Sequence, residues 1–231
     1  MKTIGLIGGM SWESSIEYYR IINQLVAQML GGSHSAKCVM YSLDFFEIEA
    51  LQDAGRWDEA TDMLVDAARR IEKGGADFFL ICTNTMHLMA DEVQENVSIP
   101  LIHIADAAAD QVKRQGLKSV GLLGTRFTME KDFYKGRLEN KYGIQVIIPQ
   151  EGEREIVHRV IYDELILGDI RPASKEKYIE VMEKLIDRGA QGIILGCTEI
   201  PLLVGEGDVS VPVFDTMRIH ATAAVEYALD V

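Results

Sequence analysis

The sequence predicts an α/β fold built from two similar halves, each a parallel sheet with helices on its faces. Three observations carry that expectation. The chain writes one stretch twice: Gly74-Gly75-Ala76-Asp77-Phe78-Phe79-Leu80-Ile81-Cys82-Thr83-Asn84-Thr85, then Arg188-Gly189-Ala190-Gln191-Gly192-Ile193-Ile194-Leu195-Gly196-Cys197-Thr198-Glu199. Each copy is a helix-ending glycine, a short apolar run that reads as a buried strand, and a Cys-Thr pair where a helix should begin. Two further blocks echo in the same order, residues 2–10 (KTIGLIGGM) in 118–126 (KSVGLLGTR) and residues 97–102 (VSIPLI) in 209–214 (VSVPVF). The offsets are 116, 115 and 112 residues, a drift that small insertions and deletions explain. Strand and helix patterns also alternate along the chain, which favours parallel pairing with helical crossovers.

In order, residues 3–9 read as a buried strand running into a glycine turn. Ser14 with Glu17 fits a capping box for the next helix, whose apolar positions Ile16, Tyr19, Ile22, Val26 and Met29 form one stripe that stops at Gly31-Gly32. The glycines Gly5, Gly8 and Gly9 do not fit G-x-G-x-x-G, so a dinucleotide site is disfavoured. Residues 38–43 read as a second strand with Cys38 inside it, a small buried hydrophobe. Residues 47–57 are polar and loop-like, placed to overhang a site. Residues 59–73 keep helical spacing through Ala60, Met63, Leu64, Ala67, Ala68 and Ile71, and the first Cys-Thr strand follows. A helical segment to residue 95 and a strand at 99–104 complete the first half. The second half reads as a strand at 118–124, a helix at 128–141 closed by Gly143, a short strand at 145–148 and a helix from 153 to Gly168. A helix at 175–188, the second Cys-Thr strand, a strand at 209–214 and a last helix at 216–229 finish the chain.

A chain of 231 residues accommodates one large domain or two smaller ones, and its composition supports a substantial core. A formal charge of −13 with scattered Lys and Arg argues against a nucleic-acid partner. No apolar run approaches the roughly 18 residues that span a bilayer, and residues 4–10 are too short for a signal peptide. Three cysteines without CxxC spacing disfavour a disulfide framework or a zinc site and point to reduced, cytoplasmic thiols.

Cys82 and Cys197 are the leading chemical candidates. A cysteine at the carboxyl end of a buried strand lies where open α/β sheets bind ligands, and a helix start beside it favours thiolate. Two such thiols would take a proton from one side of a carbon and return it on the other. Thr83, Asn84, Thr85, Thr198 and Glu199 supply hydroxyl, amide and carboxylate groups suited to a substrate carboxylate and ammonium, with helix capping the alternative for the threonines. Met10 and Thr125 follow the glycine turns of the two halves, and packing is the alternative for Met10. His87, five residues after Cys82, reads as a structural histidine.

The motifs GLIGGMSWESS, CTNTMH, LLGTRFTME and GCTEI together resemble the aspartate/glutamate racemase family, in the branch with broad-specificity amino-acid racemases. The resemblance runs over essentially the whole chain. It implies two α/β domains related by a pseudo-twofold axis, residues 1–104 with 214–231 and residues 105–213, with the active site in the interdomain cleft. It implies an amino-acid substrate, no pyridoxal phosphate or other cofactor, no metal, and a homodimer. It assigns Cys82 and Cys197 as the two acid/bases and matches Met10, Gln52, Thr83, Asn84, Thr85, Thr198 and Glu199 to the substrate pocket. Aspartate-specific members hold the second carboxylate with basic side chains, where Gln52 and Glu164 stand here, so neutral or longer amino acids are expected as substrates. A decarboxylase or isomerase on the same scaffold, or a non-catalytic amino-acid-binding protein, are the competing readings.

Overall fold

The protein is described here by a computed structural model covering residues 1–231, and the chain divides into two compact units: residues 1–104 with 220–231, and residues 105–219. The first unit runs β1 (Ile4–Gly8), α1 (Trp12–Leu30), β2 (Cys38–Ser42), α2 (Phe45–Asp53), α3 (Trp57–Lys73), β3 (Phe78–Ile81), a 3-10 turn (Thr85–Met89) and α4 (Ala90–Glu95). Then follow α5 (Ile104–Arg114), β4 (Ser119–Gly124), α6 (Arg126–Glu130), α7 (Asp132–Tyr142), β5 (Gln145–Ile147), α8 (Glu151–Asp163) and α9 (Pro172–Asp187). The chain ends with β6 (Ile193–Gly196), β7 (Val213–Asp215) and α10 (Thr216–Leu229). The unit boundaries fall at the first residue of α5 and inside α10, so the return lies later than residue 214. No helix is long and apolar enough to cross a membrane.

Both sheets are parallel throughout. The first has the order β2-β1-β3, with Leu101 added to Phe79 as a single parallel bridge; the second has the order β5-β4-β6-β7. Their strands are apolar on both faces because helices cover both: β1, β3, β4 and β6 are buried at every residue. In the first unit α3 buries Ala60, Leu64, Val65, Ala67, Ala68 and Ile71 against β1 and β3. Each large side chain in that stripe contributes about 1.5–3 kcal/mol by leaving water.

The pairing registers of the two sheets are equivalent residue by residue. Gly5 lies opposite Phe79 and Gly121 lies opposite Ile193, and Gly5 and Gly121 occupy matching places in the echoed blocks. On the other side the Phe79 N–H donates to the Pro100 carbonyl at 3.0 Å and the Ile193 N–H donates to the Pro212 carbonyl at 2.9 Å. The glycines themselves are pinned: a Cβ on Gly5 would strike Ile71 at 2.3 Å, and one on Gly121 would strike Ile193 at 2.7 Å and Leu185 at 3.0 Å. Gly9, with φ +89°, closes the first turn where a Cβ would meet the Leu43 carbonyl oxygen at 2.1 Å.

Several expectations from sequence need correcting. Residues 47–57 are not a loop, because Asp44 caps α2 by accepting the Phe46 N–H, and Ile48 and Gln52 are buried. The 128–141 helix is two helices, broken at Lys131, whose ψ of 151° is extended. Residues 99–104 reduce to the Leu101 bridge because α5 begins at Ile104. The cap of α1 is Ser11, which accepts the Ser14 N–H, while Glu17 pairs instead with Arg20. The buried face of α1 is Ser14, Ser15, Tyr18, Ile21, Ile22 and Val26, leaving Ile16, Tyr19 and Met29 of the expected stripe about half exposed.

The end of α10 belongs to the first unit. The Lys2 N–H donates to the Ala228 carbonyl at 2.9 Å, and the Phe78 and Tyr227 rings pack edge to face with centroids 4.7 Å apart. Fully buried His220 lies 2.9 Å through Nδ1 from the Tyr18 hydroxyl and 2.7 Å through Nε2 from the Ile102 carbonyl. A carbonyl only accepts, so Nε2 carries the proton and Nδ1 accepts from the tyrosine. Burial holds the imidazole neutral, its pKa lowered from 6.5 to about 4. The unfolded chain therefore binds the proton first as pH falls, and the stabilisation is complete above pH 6.5 and lost toward pH 4. The loss amounts to about 3 kcal/mol at 1.36 kcal/mol per unit. Urea titrations at pH 7 and pH 4.5 should show a markedly steeper pH dependence for the wild type than for His220→Asn; equal slopes would refute it.

Candidate functional site

In the second unit, β6 ends at Gly196 and delivers Cys197, which is 8% exposed and packed in the cluster that holds Ile193, Leu195, Tyr178 and Leu185. The Cys197 thiol donates to Glu199 Oε2 at 3.0 Å, and the Thr198 hydroxyl donates to the same oxygen at 2.8 Å. Burial first, then the charge and hydrogen bond of Glu199, push the thiol well above its ordinary range. The backbone N–H groups of Thr198 and Glu199 pull the other way and lose. At rest this is a protonated thiol hydrogen-bonded to a buried carboxylate. Thr125, at the end of β4 and 5% exposed, caps α6 by accepting the Thr128 N–H at 3.3 Å. Glu164 ends α8, where its carboxylate accepts from the Ser174 hydroxyl at 2.6 Å and from Arg171 at 3.4 Å. Fully buried Tyr178, which sequence reasoning missed, donates to the Val157 carbonyl at 2.8 Å.

In the first unit, β3 ends at Ile81 and is followed by Cys82, 1% exposed, whose N–H donates to the Ile7 carbonyl at 2.9 Å. Burial pushes the Cys82 thiol strongly up. Asn84 and Thr85 are buried beside it, and Thr83 is partly exposed. His87 lies 2.8 Å through Nδ1 from the Thr83 carbonyl and accepts the Ile104 N–H at Nε2, 3.2 Å away; it is a structural histidine. Met10 and Met86 share the core cluster of this unit, and the buried Gln52 amide nitrogen sits 2.9 Å from the Met86 sulfur. Met86 had a signal in sequence, lying inside CTNTMH, but its contact with a residue of α2 had none.

The strands and the turns that follow them keep different offsets. With Phe79 matched to Ile193 by pairing on both sides, the strands match at an offset of 114 residues. Beyond the strands the offset is 115: Cys82 and Cys197 each follow the last strand residue, and the 3-10 turns Thr85–Met89 and Ile200–Leu202 start three residues later. The bond from the His87 N–H to the Asn84 carbonyl at 3.1 Å repeats as that from the Leu202 N–H to the Glu199 carbonyl at 3.0 Å. The second unit therefore holds one extra residue at its strand end, and the two Cys-Thr pairs open equivalent turns, both with a buried thiol.

Comparison with known proteins places these two parallel-sheet α/β units in the class of amino-acid racemases, which are isomerases. A family model described as Asp/Glu/Hydantoin racemase matches residues 7–224, and the chain belongs to that family. It is 22% identical over 234 residues to the broad specificity amino-acid racemase RacX of Bacillus subtilis, covering 96% of each chain. Among solved structures it is similar to a protein of Yersinia pestis described as a candidate Asp/Glu racemase, with 56% identity, TM-score 0.94 and coverage of 99% and 100%. An aspartate racemase homologue from Pyrococcus horikoshii is 37% identical with TM-score 0.87 over 99% and 100% of the two chains.

Proposed function

We propose that this chain interconverts the enantiomers of amino acids by cofactor-independent α-proton transfer, with Cys197 as the acid/base on one face of the α-carbon. The observation that carries the reading is the Cys197–Glu199 pair, a buried thiol with a built-in proton acceptor at a strand end. Substrate ammonium near Glu199 would offset the carboxylate charge that now holds the thiol protonated, so binding and thiolate formation are linked. Thr198, Asn84, Thr85 and Thr125 supply neutral donors for a substrate carboxylate, and the charge that develops there is stabilised by such donors.

The second acid/base in this reading is Cys82, as expected from sequence: a buried thiol that follows the last residue of β3 as Cys197 follows the last residue of β6. The protein acts in the cytoplasm as a homodimer with reduced thiols.

The side chain of the substrate is neutral rather than acidic. Gln52 turns its amide onto the Met86 thioether, and Glu164 is an acid already engaged by Ser174 and Arg171, so neither offers a cation to a distal carboxylate. Chiral chromatography of aspartate, methionine, homoserine and lysine incubated with the enzyme tests this; aspartate is expected to turn over most slowly, and a clear preference for it would overturn the reading. α-Deuterium incorporation in D₂O by any of the four separates an enzyme from a protein that only binds amino acids.

A further inference from the structure

The outer face of α1 carries side chains that its own unit does not bury. Trp12, Ile16 and Tyr19 are 61%, 52% and 50% exposed, and with Met40 and Cys38 of β2 they wall a groove of about 390 Å³. No charged residue lines it. On the helix Glu17 and Arg20 pair with each other, and exposed Glu13 follows Trp12 in the first turn. β2 is the edge strand of its sheet, paired only with β1.

The duplication provides an internal control on what the fold itself requires of this face. The fully buried Tyr18 and Ile22 of α1 and Tyr134 and Leu138 of α7 stand at the same 116-residue offset as the β1 and β4 blocks, so α7 matches α1 from Ile16 onward. At that offset Ile16 and Tyr19 correspond to Asp132 and Lys135, a solvated ion pair at 3.8 Å. The same surface of the same element is charged in one unit and apolar in the other. An exposed apolar patch beside an open sheet edge is a liability unless something covers it.

We infer that a second copy of this chain covers it, seating its own α1–β2 face about a twofold axis. The charge balance selects this occupant. Each copy carries a formal charge of −13, and two such chains approach closely only through a surface free of carboxylates, which this groove is. A basic partner would be drawn to the acidic surface instead. The arrangement is isologous, so one patch supplies both sides and the edge strands meet as equivalents. The inference rests on the homodimer reading above and names its interface.

Sedimentation velocity at micromolar concentration tests it with the wild type, the Ile16→Asp/Tyr19→Asp variant and, on the neighbouring strand, Met40→Glu. The wild type is expected at twice the chain mass, and both variants at the mass of one chain with unchanged far-UV circular dichroism. Because the substituted positions are exposed in the single chain, loss of fold in both variants would itself contradict the placement. A wild-type monomer would overturn the homodimer reading and this interface together. A dimeric wild type with dimeric variants would overturn the interface alone.

Discussion

Cys197→Ser is expected to lower kcat/KM for racemisation by roughly a thousandfold or more, while substrate protection in thermal melts is retained. A serine hydroxyl is nearly isosteric with the thiol but far less acidic, so the site keeps its shape and loses the group that changes protonation state; removing a positioned general base costs about 10²–10⁴ in rate. The pH dependence gives the same residue a second signature. Burial and Glu199 raise the free-enzyme thiol pKa, so kcat/KM, which reports free-enzyme ionisations, should rise through the alkaline range rather than plateau at neutrality. Glu199→Gln removes the carboxylate charge and converts an ion-accepting hydrogen bond into a weaker neutral one. Its alkaline limb should therefore move to lower pH, whatever it does to substrate affinity. A limb that stays in place in Glu199→Gln would dissociate the carboxylate from the thiol, and full activity in Cys197→Ser would remove the thiol from the reaction.

The outline of the fold was legible because its signals are local and repeated. Four strand ends could be placed from glycine turns and apolar runs, and the echo of residues 2–10 in 118–126 gave the duplication that the sheets display. The errors lie where local pattern and tertiary packing disagree. The stripe of Ile16, Tyr19 and Met29 has helical spacing but is turned outward, since Ser14, Ser15 and Tyr18 fit the close approach to β1 that Gly8 permits: a Cβ there would meet Ser15 Oγ at 2.6 Å. Residues 47–57 looked like a loop because Glu47, Glu49 and Asp53 are polar, and only the burial of Ile48 and Gln52 shows the helix to have an inner face. The candidate site was half legible. Cys82 and Cys197 could be read from the echo, since each follows the last residue of its strand, but the contact of Gln52 with Met86 joins two distant elements and left no local signal.

Cys82→Ala is expected to lower kcat/KM for racemisation by about 10²–10⁴, the cost of removing a positioned acid/base. Enantiomers have equal free energies, so the equilibrium constant is unity and kcat/KM for inversion must be the same in both directions; loss of either thiol therefore slows both. Proton exchange with solvent is under no such constraint. The enantiomer whose α-hydrogen meets Cys197 is still deprotonated in Cys82→Ala, and once the captured proton has exchanged with D₂O the thiol returns deuterium to the same face. Its mirror image has lost its base and should exchange far more slowly, and Cys197→Ser should reverse that preference; ¹H NMR combined with chiral chromatography measures both rates. The neighbours of the two thiols differ, since Cys197 donates to Glu199 while Asn84 holds the matching place after Cys82. Glu199→Gln should therefore move the pH dependence of exchange for one enantiomer and leave that of the other in place. Full racemisation in Cys82→Ala would remove that thiol from the reaction.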